Sequence, residues 1–448
     1  METTKTKRPF GFYVMSTCFT FERMGYYAAK WLVNIFIMTA VVEGGLGLSK
    51  GTAGIMQSNL VAYTYIAPII GGYIADRFIG ARICIPIGQI LMGVGYICAF
   101  FATDLKMVWV MIILVSIGTG LFKGNISAIN GRLFSDPDEL DSAFSIQYSF
   151  VNIGSFIGTT LVGILVVQLG HNGAQAFRTC FLLSGCAVLL GFVWYMCTQR
   201  ALGNVGKKPF KYEERLGDDE AKDEEIEKDY KNVPLTRNEK NRVLAIILVS
   251  LFSVVFWIFW YLAYLPVYDY WATNANWIVG SIKASTAWFD SENAALCIIL
   301  GPIMAMVWNK LASRPQGDMS LFKKSAFALA IMGCAYLVFF FADITRGGGK
   351  APLLWIVLFG ILLSLGEMFF SPLGNSFVSK YSPAKYLSVM MGVWTFATFI
   401  SAKTYGYIYD FILKHNFARS MMVIAIISFV CAIILFVVNK PLSGLVEE

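Results

Sequence analysis

Six charged side chains stand inside stretches of this sequence that are otherwise apolar: Glu22, Arg23, Lys30, Lys123, Glu367 and Lys403. A charge in hydrocarbon costs several kcal/mol unless it is paired or wet, so each of these residues is a candidate for binding or for ion movement. Phe19, Glu22 or Arg23, Tyr26 or Tyr27, and Lys30 recur every three or four residues and form one polar and aromatic stripe on a helix. Lys123 and Glu367 carry opposite signs and follow small-residue stretches, Gly118-Thr119-Gly120 and Gly366. A pair of this kind that forms in one conformation and parts in another is a switch. Lys403 is expected to snorkel or to meet Asp410. Covalent chemistry finds no support. The histidines are His171 and His415, both in predicted loops, so neither is an intramembrane proton carrier. The nine cysteines are scattered singly, with no CxxC and no Cys/His cluster, which argues against a metal site and a disulfide framework. A membrane-embedded enzyme would need a nucleophile–base or metal constellation, and none is visible.

The elements that must position these charges are long apolar helices. The chain of 448 residues is 57% hydrophobic and 15% charged, where a soluble chain of that length carries roughly a quarter charged residues. The solvent that makes up for the missing charge is lipid. Twelve stretches between Phe10 and Val438 are long enough to cross the hydrocarbon as helix. The expected fold is an all-α membrane protein with about twelve spans in two six-helix bundles. Residues 1–197 form the first bundle, a charged linker covers 198–242, and residues 243–448 form the second. In a two-fold arrangement of three-helix units, spans 1, 4, 7 and 10 are equivalent and can line one cavity. Five of the six charges lie on spans 1, 4 and 10. The net charge of +7 fits the positive-inside rule better than nucleic-acid binding. With the N-terminus inside, 24 of the 36 Lys and Arg are cytoplasmic and 8 are outside. Both termini are therefore expected in the cytoplasm, in a multi-pass protein of the cell membrane. The short basic N-terminus shows no cleavage site and reads as a cytoplasmic end.

Between spans 2 and 3 runs Gly71-Gly72-Tyr73-Ile74-Ala75-Asp76-Arg77-Phe78-Ile79-Gly80-Ala81-Arg82. Its glycines permit close helix approach and a tight turn, and Asp76 can face a helix N-terminus or a cation. Gly72, Asp76 and Arg77 are expected to act in gating or structure. Pro372 follows Glu367 by five residues and removes a backbone hydrogen bond, which suits a moving or kinked span 10.

As an ordered set, these motifs resemble the proton-dependent oligopeptide transporter family of the major facilitator superfamily. The loop from Gly72 to Arg82 is similar to the superfamily's loop signature. Four further stretches are similar to the family: Glu22-Arg23-Met24-Gly25-Tyr26-Tyr27, Gly120-Leu121-Phe122-Lys123-Gly124-Asn125-Ile126-Ser127, Phe150-Val151-Asn152-Ile153-Gly154-Ser155, and Gly366-Glu367-Met368-Phe369-Phe370-Ser371-Pro372-Leu373-Gly374. The resemblance implies the major facilitator fold and proton-driven symport of di- and tripeptides by alternating access. It implies that Arg23, Lys30 and Lys123 serve the peptide carboxylate, with Arg23 and Lys123 also in proton coupling. It assigns Glu367, Asn152 and Asn293 to the amino terminus and backbone. It assigns Tyr26, Tyr27, Tyr65, Trp257 and Trp394 to side-chain pockets. A zwitterion held in a low-dielectric cavity needs opposite charges about a peptide length apart, which agrees.

The chain departs from the family pattern at identifiable positions. Phe19 stands where the first span-1 glutamate is usual, Lys30 replaces an arginine, and Gly124 replaces a proline. Trp257-Ile258-Phe259-Trp260-Tyr261-Leu262 on span 7 carries no acid. Glu22 and Glu367 are then the remaining proton-carrier candidates. The alternative is a carrier of the same architecture for another small anionic or zwitterionic solute, with altered or absent coupling. No cofactor beyond the coupling proton, no nucleic acid and no second subunit is expected; the partners are the solute and the bilayer.

Overall fold

The computed structural model describes residues 8–134, 137–209, 235–315, 319–383 and 386–446. Two compact units divide the chain, Met1–Glu213 and Glu214–Glu448. Most of the charged stretch between them, residues 210–234, lies outside the described residues.

The first unit holds six long helices: α1 (Phe10–Met38), α2 (Lys50–Ile74), α3 (Ala81–Phe100), α4 (Leu105–Arg132), α5 (Pro137–Gln168) and α6 (Phe177–Thr198). The second holds α7 (Arg237–Leu262), α8 (Trp288–Ala312), α9 (Leu321–Thr345), α10 (Leu354–Tyr381), α11 (Leu387–Leu413) and α12 (Phe417–Val437). Among the described residues, eight helices are long and apolar enough to cross a membrane, and Leu354–Phe370 of α10 is a shorter apolar stretch. The other three long helices, α1, α2 and α11, span 29, 25 and 27 residues.

Several helices start where a polar side chain takes up a free backbone N–H. Ser49 accepts from Thr52, Asp104 from Met107, Ser320 from Lys323 and Asn416 from Arg419. Thr236 and Glu239 form a reciprocal capping box that starts α7 at Arg237, inside the stretch 198–242 expected as linker. Between α7 and α8, short helices (Tyr264–Tyr268 and Tyr270–Asn274) and two-residue strands make the connection.

Small residues bring the helices together, as expected where lipid supplies no hydrophobic drive between spans. A Cβ added at Gly71 on α2 would stand 2.0 Å from the Gly120 carbonyl of α4, and one at Gly158 on α5 would stand 2.2 Å from the Met24 carbonyl of α1. Only glycine lets these backbones touch. The opposite face of α4 shows Val110, Ile113 and Ile117, all exposed at helical spacing, which suits contact with acyl chains. Glu22, Arg23, Lys30 and Glu367 are buried and so lie on faces turned to neighbouring helices.

Candidate functional site

In the first unit, one turn of α1 builds the strongest polar feature. Arg23 donates from Nε to Glu22 Oε2 at 2.5 Å and from Nη2 to Glu22 Oε1 at 2.6 Å, a bidentate pair between neighbours in sequence. Both side chains are buried, so the charges are held by each other and by rings rather than by water. The Arg23 guanidinium carbon lies 4.5 Å from the centroid of Tyr26, 5.4 Å from Phe19 and 5.8 Å from Tyr27, within cation–π range. Lys30 stands 5.7 Å from the Tyr27 ring, one turn further along. On α2, Thr64 shares a hydrogen bond of 3.2 Å with the Tyr26 hydroxyl, and Tyr65 lies 4.4 Å beneath the Lys123 ammonium of α4. Lys123 feels the charges of both Arg23 and Glu22. Phe19, standing where the resemblance leads one to look for a glutamate, packs edge-on to Phe122 of α4 at 5.7 Å. That position is filled by apolar packing. Gly154 of α5 is pressed against α1, where an added Cβ would meet Arg23 Cβ at 3.1 Å. Asn152 is buried on α5 and donates to the Tyr148 carbonyl at 2.9 Å.

In the second unit, α8 and α10 share a polar seam. Asn293 Nδ2 donates to Glu367 Oε2 at 2.9 Å and to Ser364 Oγ at 3.0 Å, and Cys297 Sγ is 3.7 Å from the same carboxylate oxygen. Asn293 and Glu367 are therefore brought together. Beside them lies an aromatic group. Phe370 of α10 stacks on Phe256 of α7 at 4.3 Å, reaches Trp257 at 6.1 Å and lies parallel to Trp394 of α11 at 6.2 Å. Trp260, within the span-7 stretch that carries no acid, packs edge-on to Trp257 at 5.5 Å.

The loop after α2 behaves differently from its expectation in one respect. Gly71, not Gly72, makes the close approach; nothing stands within 4 Å of a Cβ built at Gly72. Residues Ala75–Ile79 form one widened turn, and Gly80 at φ 79° starts α3. Arg77 lies 4.9 Å from the Tyr73 ring. Burial pushes the Asp76 carboxyl above the usual range, and Arg132 opposes the shift. Arg82 does more than end the motif: it donates to the carbonyls of Gly203 at 2.7 Å and Gln199 at 2.5 Å, and its backbone N–H donates to Gly206 at 3.0 Å. The segment after α6 is thereby clasped to the start of α3. Helix α10 runs unbroken from Leu354 to Tyr381, so no gap in it divides the span at position 372. The side chains of residues 371–376, Pro372 among them, fall outside those described. Asp410 pairs with Lys414 at 2.7 Å, and Lys403 lies 6.0 Å from the Tyr407 ring.

Some polar residues were not singled out in the sequence. Ser364 bridges into the Asn293–Glu367 contact and is fully buried. Asp290 accepts from the Tyr268 hydroxyl at 2.5 Å, and Asp269 from that of Tyr409 at 2.9 Å. Glu292 lies on α8 next to Asn293, with its carboxylate against Gly360 of α10. Glu292 falls inside a predicted span, close to its start.

With this geometry in place, comparisons with known proteins add the following. A family model described as Major Facilitator Superfamily matches residues 19–403. The chain is 26% identical to a di-/tripeptide transporter of Lactococcus lactis subsp. cremoris, over 95% of this chain and 94% of that protein. It is 26% identical to the peptide transporter YePEPT of Yersinia enterocolitica subsp. palearctica, over 95% and 93%. A crystal structure of a mutant peptide transporter POT with alafosfalin superposes with a TM-score of 0.86, at 26% identity, over 98% of this chain and 96% of that one.

Proposed function

We propose, because this chain belongs to the Major Facilitator Superfamily and within it to the proton-dependent oligopeptide transporter family, that it carries di- and tripeptides into the cell by proton-coupled symport and alternating access. It is a transporter and not an enzyme. The single observation that carries the reading is the buried Glu22–Arg23 pair under the rings of Tyr26 and Tyr27. Both ends of the guanidinium fork that could hold a peptide carboxylate are occupied by Glu22. Protonating Glu22 removes its charge and leaves the fork open to a carboxylate, so proton binding and peptide binding favour each other. Lys30 and Lys123 add positive charge on the same unit for the peptide's carboxylate.

On the second unit, Glu367 supplies the negative charge for the peptide's amino group. Asn293 and Ser364 hold its carboxylate in place, and Glu367 serves with Glu22 as a proton carrier. Asn152 takes part in backbone recognition, and Tyr65, Trp257 and Trp394 shape side-chain pockets. Protons are the coupling ion, and no other cofactor takes part. Gly72, Asp76, Arg77 and Pro372 belong to gating and helix packing. We place the protein in the cell membrane with both termini in the cytoplasm, acting as a monomer in the bilayer. Nucleic acid is no partner.

The second reading, a carrier of another small anionic or zwitterionic solute with altered or absent coupling, is favoured by Phe19, packed on Phe122 where a carboxylate is usual, and by the stretch 257–262, which carries no acid. Uptake of labelled dialanine into proteoliposomes separates the two. The first reading expects accumulation only with an inward proton gradient. Uptake indifferent to the gradient removes coupling, and absence of uptake and of binding removes peptide as the solute.

A further inference from the structure

The seam between α8 and α10 carries a second carboxylate that the transport scheme above does not use. Glu292 lies one residue before Asn293, and its carboxylate is pressed onto Gly360. A Cβ built on Gly360 would stand 2.6 Å from Glu292 Oε2 and 2.9 Å from Oε1. A side chain at position 360 would make the carboxylate move from this place. Gly360, Ser364 and Glu367 follow one another at helical spacing on α10, so Glu292 and Glu367 lie along one face of that helix. The seven residues from Gly360 to Glu367 rise about 10 Å.

The surroundings of Glu292 are unusual for a carboxylate. Its Oε1 is shut off from solvent and has no hydrogen-bond partner among the described residues. The elements packed against α8 are α10 and the short helix Tyr264–Tyr268. Their titratable groups are Glu367, Lys380 and Tyr381 on α10 and Tyr264 and Tyr268 on the short helix; Lys380 stands 20 residues past Gly360, about 30 Å along α10. Glu367 is engaged by Asn293, Tyr268 gives its hydroxyl to Asp290, and Tyr264 packs its ring edge-on to Phe289 at 5.2 Å. Lys380 is the cation among them, and its distance along α10 keeps it remote from Glu292. An ionised oxygen kept from water with neither donor nor counter-ion is strongly disfavoured, whereas the neutral acid is tolerated. A structural acid is paired, as Asp290 and Asp269 are with their tyrosines. Glu292 is not.

We propose that Glu292 is a further proton-carrying carboxylate of the second unit, protonated while its seam with α10 is closed and ionised when water reaches it. The inference rests on the transport function proposed above. In each cycle the ionised carboxylate takes one proton from hydronium in the outer water, forming an O–H bond. It returns that proton to water on the inner side, restoring the carboxylate. No electron moves, and one proton crosses.

Two measurements on the purified full chain test this independently of each other. Infrared titration of the reconstituted protein reads the carboxylic-acid C=O stretch directly. The parent is expected to show such a band at neutral pH, and Glu292→Gln to lose it; identical spectra from the two overturn the proposal whether or not the protein carries peptides. Transport of dialanine is then measured as counterflow without a gradient and as accumulation with one. Glu292→Gln is expected to keep counterflow, which also shows that it folds, and to lose gradient-driven accumulation; Glu292→Asp recovers it. Accumulation by Glu292→Gln at the parental level overturns the proposal. A parent that neither binds nor exchanges dialanine removes the peptide reading instead, and the infrared result still decides the role of Glu292.

Discussion

Arg23 has two partners to choose between, and its chemistry follows from that choice. Its fork is filled by Glu22 in a buried bidentate pair. Removing either member leaves the other charged and unpaired in a dry place. Arg23→Ala is therefore expected to lower stability by about 3–5 kcal/mol, read as a fall in the thermal midpoint of the purified protein. Glu22→Gln keeps the shape and removes the charge. It is expected to bind dialanine at least as well as the parent, yet to lose gradient-driven accumulation; accumulation at the parental level would remove Glu22 from the coupling. Lys123→Ala and Glu367→Ala are each expected to abolish driven uptake, and near-normal accumulation by either would contradict their roles. These charges were legible in the sequence because ionised residues in apolar stretches are few and costly. Their partners were less so. The hold of Asn293 and Ser364 on Glu367 depends on how α8 and α10 face each other, which no local pattern records. Glu292 sits near the start of its span, and in one dimension an acid there looks like a wetted helix end. Only the empty side of Gly360 distinguishes it.

Helices carry the next level of the account. The long apolar stretches announce themselves by hydropathy, but which glycine serves as the contact does not. Gly71 and Gly72 are adjacent and alike in sequence, and α4 touches one of them. Gly71→Val should overpack the α2–α4 contact and cost about 1–3 kcal/mol or more. Gly72→Ala meets open space and should shift stability by less than about 1 kcal/mol. Equal effects on the thermal midpoint would mean that the two helices do not pack this way. Arg82 shows the same limit of one-dimensional reading. The loop motif places it at the end of a turn, while its partners lie more than a hundred residues on, in the segment after α6. Arg82→Ala should release that segment, and limited proteolysis near residues 199–206 should become markedly faster while the rest of the first unit resists.

At the scale of the molecule, six long helices among the described residues of each unit, with a match to the Major Facilitator Superfamily over residues 19–403, make a carrier the natural reading. The fold class was legible because lipid imposes it: backbone polar groups in hydrocarbon must be satisfied within each span, and long apolar helices are the way this chain does so. The solute was legible only through the ordered motifs, since a set of buried charges fits several small zwitterions. The central claim is that ionised side chains tie peptide movement to proton movement. Simultaneous recording of dialanine uptake and internal acidification in the same proteoliposomes tests it most directly. The account predicts that adding dialanine outside draws protons in together with the peptide, and that Glu367→Ala abolishes both. Dialanine entry with no accompanying acidification would contradict it.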